Sequence, residues 1–149
     1  AYPHKNHSFL FQSAHKIFTE FPNSKIVMTI EEPDSFPERI ECLGEISARQ
    51  VNEFMNRDDV VLLFPSVKET LGLPLIEALE ADIPIVVSDL PFAHEICGEA
   101  ALYFQPGNVE SLISSLQKIR VMPNWKRQKR NIDIYGRIAI HLRSLVDHG

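Results

Sequence analysis

Residues 69–89 read ETLGLPLIEALEADIPIVVSD and place two glutamates, Glu69 and Glu77, eight positions apart around a Gly-Leu-Pro turn. An apolar run, VVLLF at 60–64, precedes them. The order predicts a strand, a loop, and a helix that opens at Pro74. The first N–H groups of a helix lack intrahelical partners, and the helix dipole adds partial positive charge there. An anion such as a phosphate is stabilised at such a point. Gly72 has no Cβ and lets the backbone come close to that anion. Pro74 costs little in a first turn, because its missing N–H would have had no partner. Glu77 falls about one turn further in. A carboxylate there is no phosphate ligand, but it accepts hydrogen bonds from hydroxyls, as acidic residues do with a ribose. Glu69 lies before the turn and approaches the same pocket from another side, so the pair brackets a phosphate-sized gap. The competing reading is two solvated carboxylates, with Glu77 favoured by the helix dipole.

These residues need a frame, and the chain predicts one. Phe9, Leu10, Ala14, Ile17, Phe18 and Phe21 recur at helical spacing, with Asn6 or Ser8 as the cap and Pro22 after the end. KIVMTI (25–30) and IECL (40–43) read as strands, separated by the proline-rich, charged loop EEPDSFPE. Ser47 caps a helix running to about Arg57. VVLLF and IPIVVS are apolar throughout, as strands buried on both faces of a parallel sheet are. PFAHEICG forms a short helix ended by Gly98, ALYF a strand, PGN a turn, and VESLISSLQKIR an amphipathic helix. A last helical segment is expected over 124–149. Strands alternate with helices throughout, which predicts an α/β, Rossmann-like, doubly wound parallel sheet as one domain over 1–149. Such sheets bind ligands at the carboxyl ends of their strands. That rule selects the loops at 1–8, 30–39, 44–47, 65–73 and 88–92.

The totals limit the function classes. The chain has 149 residues, 44% hydrophobic and 23% charged, enough for one domain with a full core. A formal net charge of -5 argues against broad nucleic-acid binding, which needs a basic surface. Cys42 and Cys97 lie far apart, form no CxxC, and read as reduced thiols of a cytoplasmic protein. No run of about 18 apolar residues is present, and no signal peptide is visible. The chain starts AYPHKNHSF and enters almost at once into a helical pattern. We expect a fragment of a longer parent, with the first strand of the sheet missing.

FPSVKETLGLPLIEALEADIPIVVSD closely resembles the E-x7-E region of retaining nucleotide-sugar glycosyltransferases of family 4, which have the two-Rossmann-domain GT-B fold. EICGEAALYFQPGNVESL, ECLGEIS and HKNHSFLFQSAHKI extend the resemblance in the same order. It covers nearly the whole chain, from about Lys5 to about Arg120. In that family the amino-terminal domain holds the acceptor and the carboxyl-terminal domain holds the donor. The resemblance therefore implies the donor-binding half, whose partner is the acceptor-binding domain of the same parent chain. It implies a nucleoside diphosphate sugar as substrate, retention at the anomeric carbon, no cofactor and no metal. Lys5 matches the lysine on the donor diphosphate; Glu69 matches the first glutamate, near the donor sugar. Thr70, Leu71, Gly72 and Leu73 would meet sugar hydroxyls and phosphate, with backbone N–H groups of about 71–73 as donors. Glu77 matches the ribose-binding glutamate. Ile46 falls where backbone atoms read the base, although an apolar residue there also serves packing.

The text departs from the family's at three places. Thr70 replaces a usual glycine, Leu71 a usual phenylalanine, and ADIP stands for the common CGxP. A β-branched Thr70 resists positive φ, so the loop is expected to differ if that glycine needs it. His4 and His7 form an H-x-x-H without an evident third ligand. His94 is expected to be structural or on the surface. KRQKR (126–130) is a solvated helix face or, as the runner-up, a peripheral contact at the inner face of the membrane. Two rivals remain: a nucleotide-sugar epimerase of the same two-domain fold, and a flavodoxin-like nucleotide-binding or interaction module with no transferase activity.

Overall fold

The structure, a computed structural model, describes residues 3–120. A 3-10 turn at Pro3–Lys5 leads into α1 (His7–Glu20), followed by β1 (Ile26–Met28) and β2 (Ile40–Cys42). Then come α2 (Ala48–Met55), β3 (Leu62–Phe64), α3 (Leu73–Ala81) and β4 (Ile85–Ser88). The described part ends with α4 (Pro91–Cys97), β5 (Leu102–Phe104) and α5 (Val109–Arg120). The predicted helix over 124–149 and the basic run 126–130 lie outside the described residues.

All strand pairs are parallel, as predicted. β3 pairs with β4 and β4 with β5, with Phe64 opposite Val87 and Ser88 opposite Phe104. β1 and β2 form a second parallel ladder, with Met28 opposite Cys42. The two ladders are not joined by strand hydrogen bonds among the described residues. Side-chain packing joins them: Ile26 and Leu63 pack against both clusters beneath α1.

Alternation along the strands assigns the two faces. Phe64, Ile85 and Val87 meet Leu75 and Ala78 of α3 and Ala93 and Cys97 of α4. Leu63, Val86 and Phe104 meet Phe9 and Ile17 of α1 and Leu112 and Ile113 of α5. Helices thus cover both faces, and all four residues of β4 are buried. β3 differs from the expectation drawn from VVLLF. Only Phe64 is fully buried there, and Val61 stays 37% exposed. Among the described residues β3 pairs with a strand on one side only, and its apolar run is covered incompletely.

Local signals explain most element ends. Ser47 closes a capping box on α2: its hydroxyl accepts from Gln50 N–H, while the Gln50 side chain accepts from Ser47 N–H at 2.9 Å. For α1, one of the two expected caps is found, but its side chain does not do the capping. Asn6 occupies the cap position in the left-handed region, without a side-chain hydrogen bond. Cys97 is fully buried and Cys42 half-buried, and no disulfide joins them. No helix among the described residues is long and apolar enough to cross a membrane.

α2 has no fully buried residue, so its ends matter more than its core contacts. Ser47→Ala is expected to cost about 1 kcal/mol. Leu75→Ala, at a fully buried position, is expected to cost about 2–5 kcal/mol. Urea unfolding of both variants checks the contrast, and equal losses would contradict it.

Candidate functional site

Parallel pairing sends the carboxyl ends of β3, β4 and β5 to one edge, and the loop after β3 leaves from that edge. Phe64, Pro65 and Ser66 are buried, so the chain emerges only at Val67. Val67 N–H donates to the carbonyl of His4 at 2.9 Å. This bond lays the Pro3–Lys5 turn against the loop, although the two segments are 60 or more residues apart in sequence. Lys5 then reaches Glu69 and forms an ion pair with its Oε1. The Lys5 ammonium also lies over the Phe64 ring, 5.5 Å from its centroid, within cation–π range. The Glu69 side chain is 9% exposed and that of Lys5 29%. The structure therefore unites the two residues to which the resemblance assigns sugar and diphosphate.

Ser66 completes this cluster, and the sequence reading passed over it. Its hydroxyl lies 2.9 Å from Glu69 Oε1 and 3.1 Å from the carbonyls of His4 and Lys68. The available signal was the PS pair that ends β3 in the quoted motif. His7, the first residue of α1, sits beside this cluster. Burial, and next the charge of Lys5, hold its imidazole below the ordinary histidine range, so it adds little positive charge at neutral pH.

α3 begins one residue earlier than predicted, at Leu73, with Pro74 inside the first turn. Gly72 is the cap, in the left-handed region at φ 59°. A Cβ on Gly72 would approach Cδ1 of Ile96 to 2.6 Å. The missing side chain leaves room for the tip of the Ile96 side chain on α4, and the left-handed φ itself favours glycine. Thr70 is not among the residues with positive φ, so the turn takes its left-handed residue at Gly72 instead. The N–H groups of Leu71, Gly72 and Leu73 donate to no acceptor among the described residues. They are unmet donors at the positive end of a helix. Thr70 and Leu73 are exposed beside them.

Glu77 is exposed on α3. It lines a groove of about 230 Å³ between α2 and α3, with Ala48, Val51, Asn52, Met55, Asn56, Glu80 and Ala81. Glu69 is not among the groove's lining residues. The two glutamates therefore occupy two neighbouring environments, one ion-paired and one facing α2. Partial desolvation, and next the charge of Glu80, push the Glu77 carboxyl above its ordinary value of 4.5. Ile46 is half-buried just ahead of the Ser47 cap, on the loop that leaves β2.

Other tempting residues take structural roles. His94 Nε2 meets Asp89 Oδ1 at 2.6 Å, and its ring stacks on Tyr103 with centroids 3.9 Å apart. His4 and His7 gather no third metal ligand among the described residues. The larger cavity, about 400 Å³, is lined by Phe11, His15, Phe18, Thr19, Pro37, Glu38 and Arg39. It lies where β2 begins and α1 ends, at the edge opposite the loops of the site.

The fold and this loop cluster define a Rossmann-like donor of backbone N–H groups and charged side chains at the carboxyl edge of a parallel sheet. Residues 35–137 match the family model for glycosyl transferases group 1. The match covers more than half of the 149 residues, and the chain belongs to that family. It is 29% identical over 135 residues to the O-antigen chain mannosyltransferase RfbU of Salmonella typhimurium, covering 83% of this chain and 37% of that protein. It is 28% identical over 64 residues to O-antigen chain mannosyltransferase B of Escherichia coli, covering 43% of this chain and 17% of that protein. A 43-residue stretch is 46% identical to the serotype-specific mannosyltransferase WbdA of Escherichia coli, covering 29% of this chain and 5% of that protein. The chain thus spans well under half the length of the relatives it matches.

The raised Glu77 carboxyl gives a pH signature. A group whose folded pKa lies above its unfolded value favours the folded state below the unfolded value, and that contribution is lost as pH rises through the folded value. Glu77→Gln is therefore expected to gain stability relative to the wild type between acidic and neutral pH. Thermal unfolding at pH 4 and pH 7 checks this; a gap that does not widen in favour of Glu77→Gln would contradict it.

Proposed function

We propose that this chain is the donor-binding half of a glycosyltransferase. It holds a nucleoside diphosphate sugar, while the acceptor-binding domain of the same parent chain presents the acceptor. The observation that carries this reading is the meeting of Lys5 and Glu69 beside the unmet N–H groups of Leu71–Leu73, in a chain of this family. Diphosphate is the leaving group, and its charge grows as the glycosidic bond breaks. Lys5 and the 71–73 amides supply fixed positive charge and donors for that moment, which is electrostatic catalysis. A lysine ammonium has three donors, so Lys5 can keep Glu69 and still meet an incoming phosphate oxygen. Glu69 accepts from hydroxyls of the donor sugar, and Glu77 from those of the ribose. The residues around Ile46 border the base. Transfer proceeds with retention and without a metal or cofactor. The mannosyltransferases among the relatives make mannose the first sugar to test, with polysaccharide or glycolipid synthesis as the setting. The work is cytoplasmic, at the inner face of the membrane where the acceptor is lipid-linked.

Isothermal calorimetry tests the division of labour, using guanosine and uridine diphosphates and their mannose esters. Glu77→Ala should lose roughly 1.5–3 kcal/mol, because hydrogen bonds to a charged acceptor are the strong ones. That is on the order of ten- to a hundredfold in affinity, with a smaller loss for Glu77→Gln. Glu69→Ala should hardly alter binding of the bare diphosphates and should weaken the sugar esters. Equal losses for both ligand classes at Glu69, or none at Glu77, would refute this division. A chain that binds none of these ligands would favour the flavodoxin-like interaction module.

Turnover supplies a second test. The isolated chain should transfer no mannose to a lipid-linked acceptor, whereas the full-length transferase should. Measurable transfer by the purified chain alone would contradict the two-half reading.

A further inference from the structure

We propose that Ser66 is a positioning residue that fixes the Glu69 carboxylate so that Oε2 is the atom presented to a ligand. Ser66 is 1% exposed and cannot itself be a contact for a solvent-borne molecule. Its hydroxyl carries one proton, yet three acceptors surround it: Glu69 Oε1 at 2.9 Å and the His4 and Lys68 carbonyls at 3.1 Å. The His4 carbonyl already receives the N–H of Val67. An ionised carboxylate is the stronger acceptor, and here it is also the nearest. The proton therefore goes to Glu69.

The Lys5 ammonium meets the same oxygen, Oε1. Both donors thus converge on one side of the carboxylate. Oε2 accepts from no described residue, so it keeps its full accepting capacity. Lys5 is a flexible, partly exposed side chain, and an arriving phosphate draws on it. Ser66 lies in the buried stretch just after β3 and cannot follow. When the lysine turns towards phosphate, the serine still holds the glutamate in place. The role rests on the donor reading above, since it assigns to Ser66 the orientation of the proposed sugar contact.

The test is calorimetry with guanosine and uridine diphosphates and their mannose esters, on the wild type, Ser66→Ala, Ser66→Cys, Ser66→Thr, Glu69→Ala and the Ser66→Ala/Glu69→Ala double variant. Ser66→Ala should weaken the mannose ester about tenfold, roughly 1.4 kcal/mol, and leave the bare diphosphate within about twofold. Ser66→Cys keeps the volume but is a weak donor, so it should show the same selective loss even where Ser66→Ala does not fold. Ser66→Thr keeps the hydroxyl and should recover most of the affinity. The double variant should bind no worse than Glu69→Ala, because the serine acts through the glutamate. Equal loss for both ligand classes, full additivity, or no loss in Ser66→Cys would overturn the positioning role. Selective, Glu69-dependent binding that ignores Ser66 sinks this inference and leaves the donor reading standing. A wild type that binds no sugar ester overturns both.

Discussion

The parallel register of β3, β4 and β5 is the constraint on which the site depends. Parallel strands must all deliver their following loops to the same edge. β4 is buried along its whole length and clamped by helices on both faces. With β4 immobilised in this way, the end of β3 is fixed, and with it the depth at which Ser66 sits. An antiparallel pairing would have sent the loop at 65–72 to the opposite edge from the end of β4.

A small polar cluster converts that geometry into chemistry. The Pro3–Lys5 turn comes from the start of the chain, and the loop from its middle. They are tied by the Val67 N–H to His4 carbonyl bond and by the ion pair of Lys5 with Glu69. Partly buried charges are costly unless paired and hydrogen-bonded. Glu69 meets that condition through Lys5 and Ser66 on one oxygen. The unmet amides at Leu71–Leu73 sit a few residues further on, at the open end of α3. Positive charge from the Pro3–Lys5 turn and unmet donors from the loop are thus gathered at one edge.

The two glutamates that spacing alone places around one gap prove to have different surroundings. Glu69 is held from the buried side by a serine. Glu77 faces a groove built by α2, beside another carboxylate. Ion pairing stabilises one charge, whereas desolvation and a like-charged neighbour disfavour the other. The proposed division of the donor, sugar to one and ribose to the other, would give these two differently placed carboxylates separate tasks.

By itself the sequence determined the alternation of strands and helices, the parallel sheet and the order of its elements. Those features rest on local periodicity, capping and turn chemistry, as at Ser47 and Gly98, and on motif text that spans nearly the whole chain. Spacing around a glycine turn drew attention to Glu69 and Glu77, and the family resemblance added Lys5 and gave each a role. Tertiary structure alone decided that Lys5 touches Glu69, that Ser66 is their shared support, and that Glu77 opens towards α2. The Lys5–Glu69 and Ser66–His4 contacts and the groove between α2 and α3 join segments far apart in the chain, and only tertiary packing sets their distances. The role of Gly72 was out of reach for the same reason. Its left-handed φ already favours glycine, and the tip of Ile96 on α4 adds a close neighbour that no local pattern names. The incomplete burial of β3 likewise depends on which strand lies beside it, and an apolar run reads the same with one partner or two.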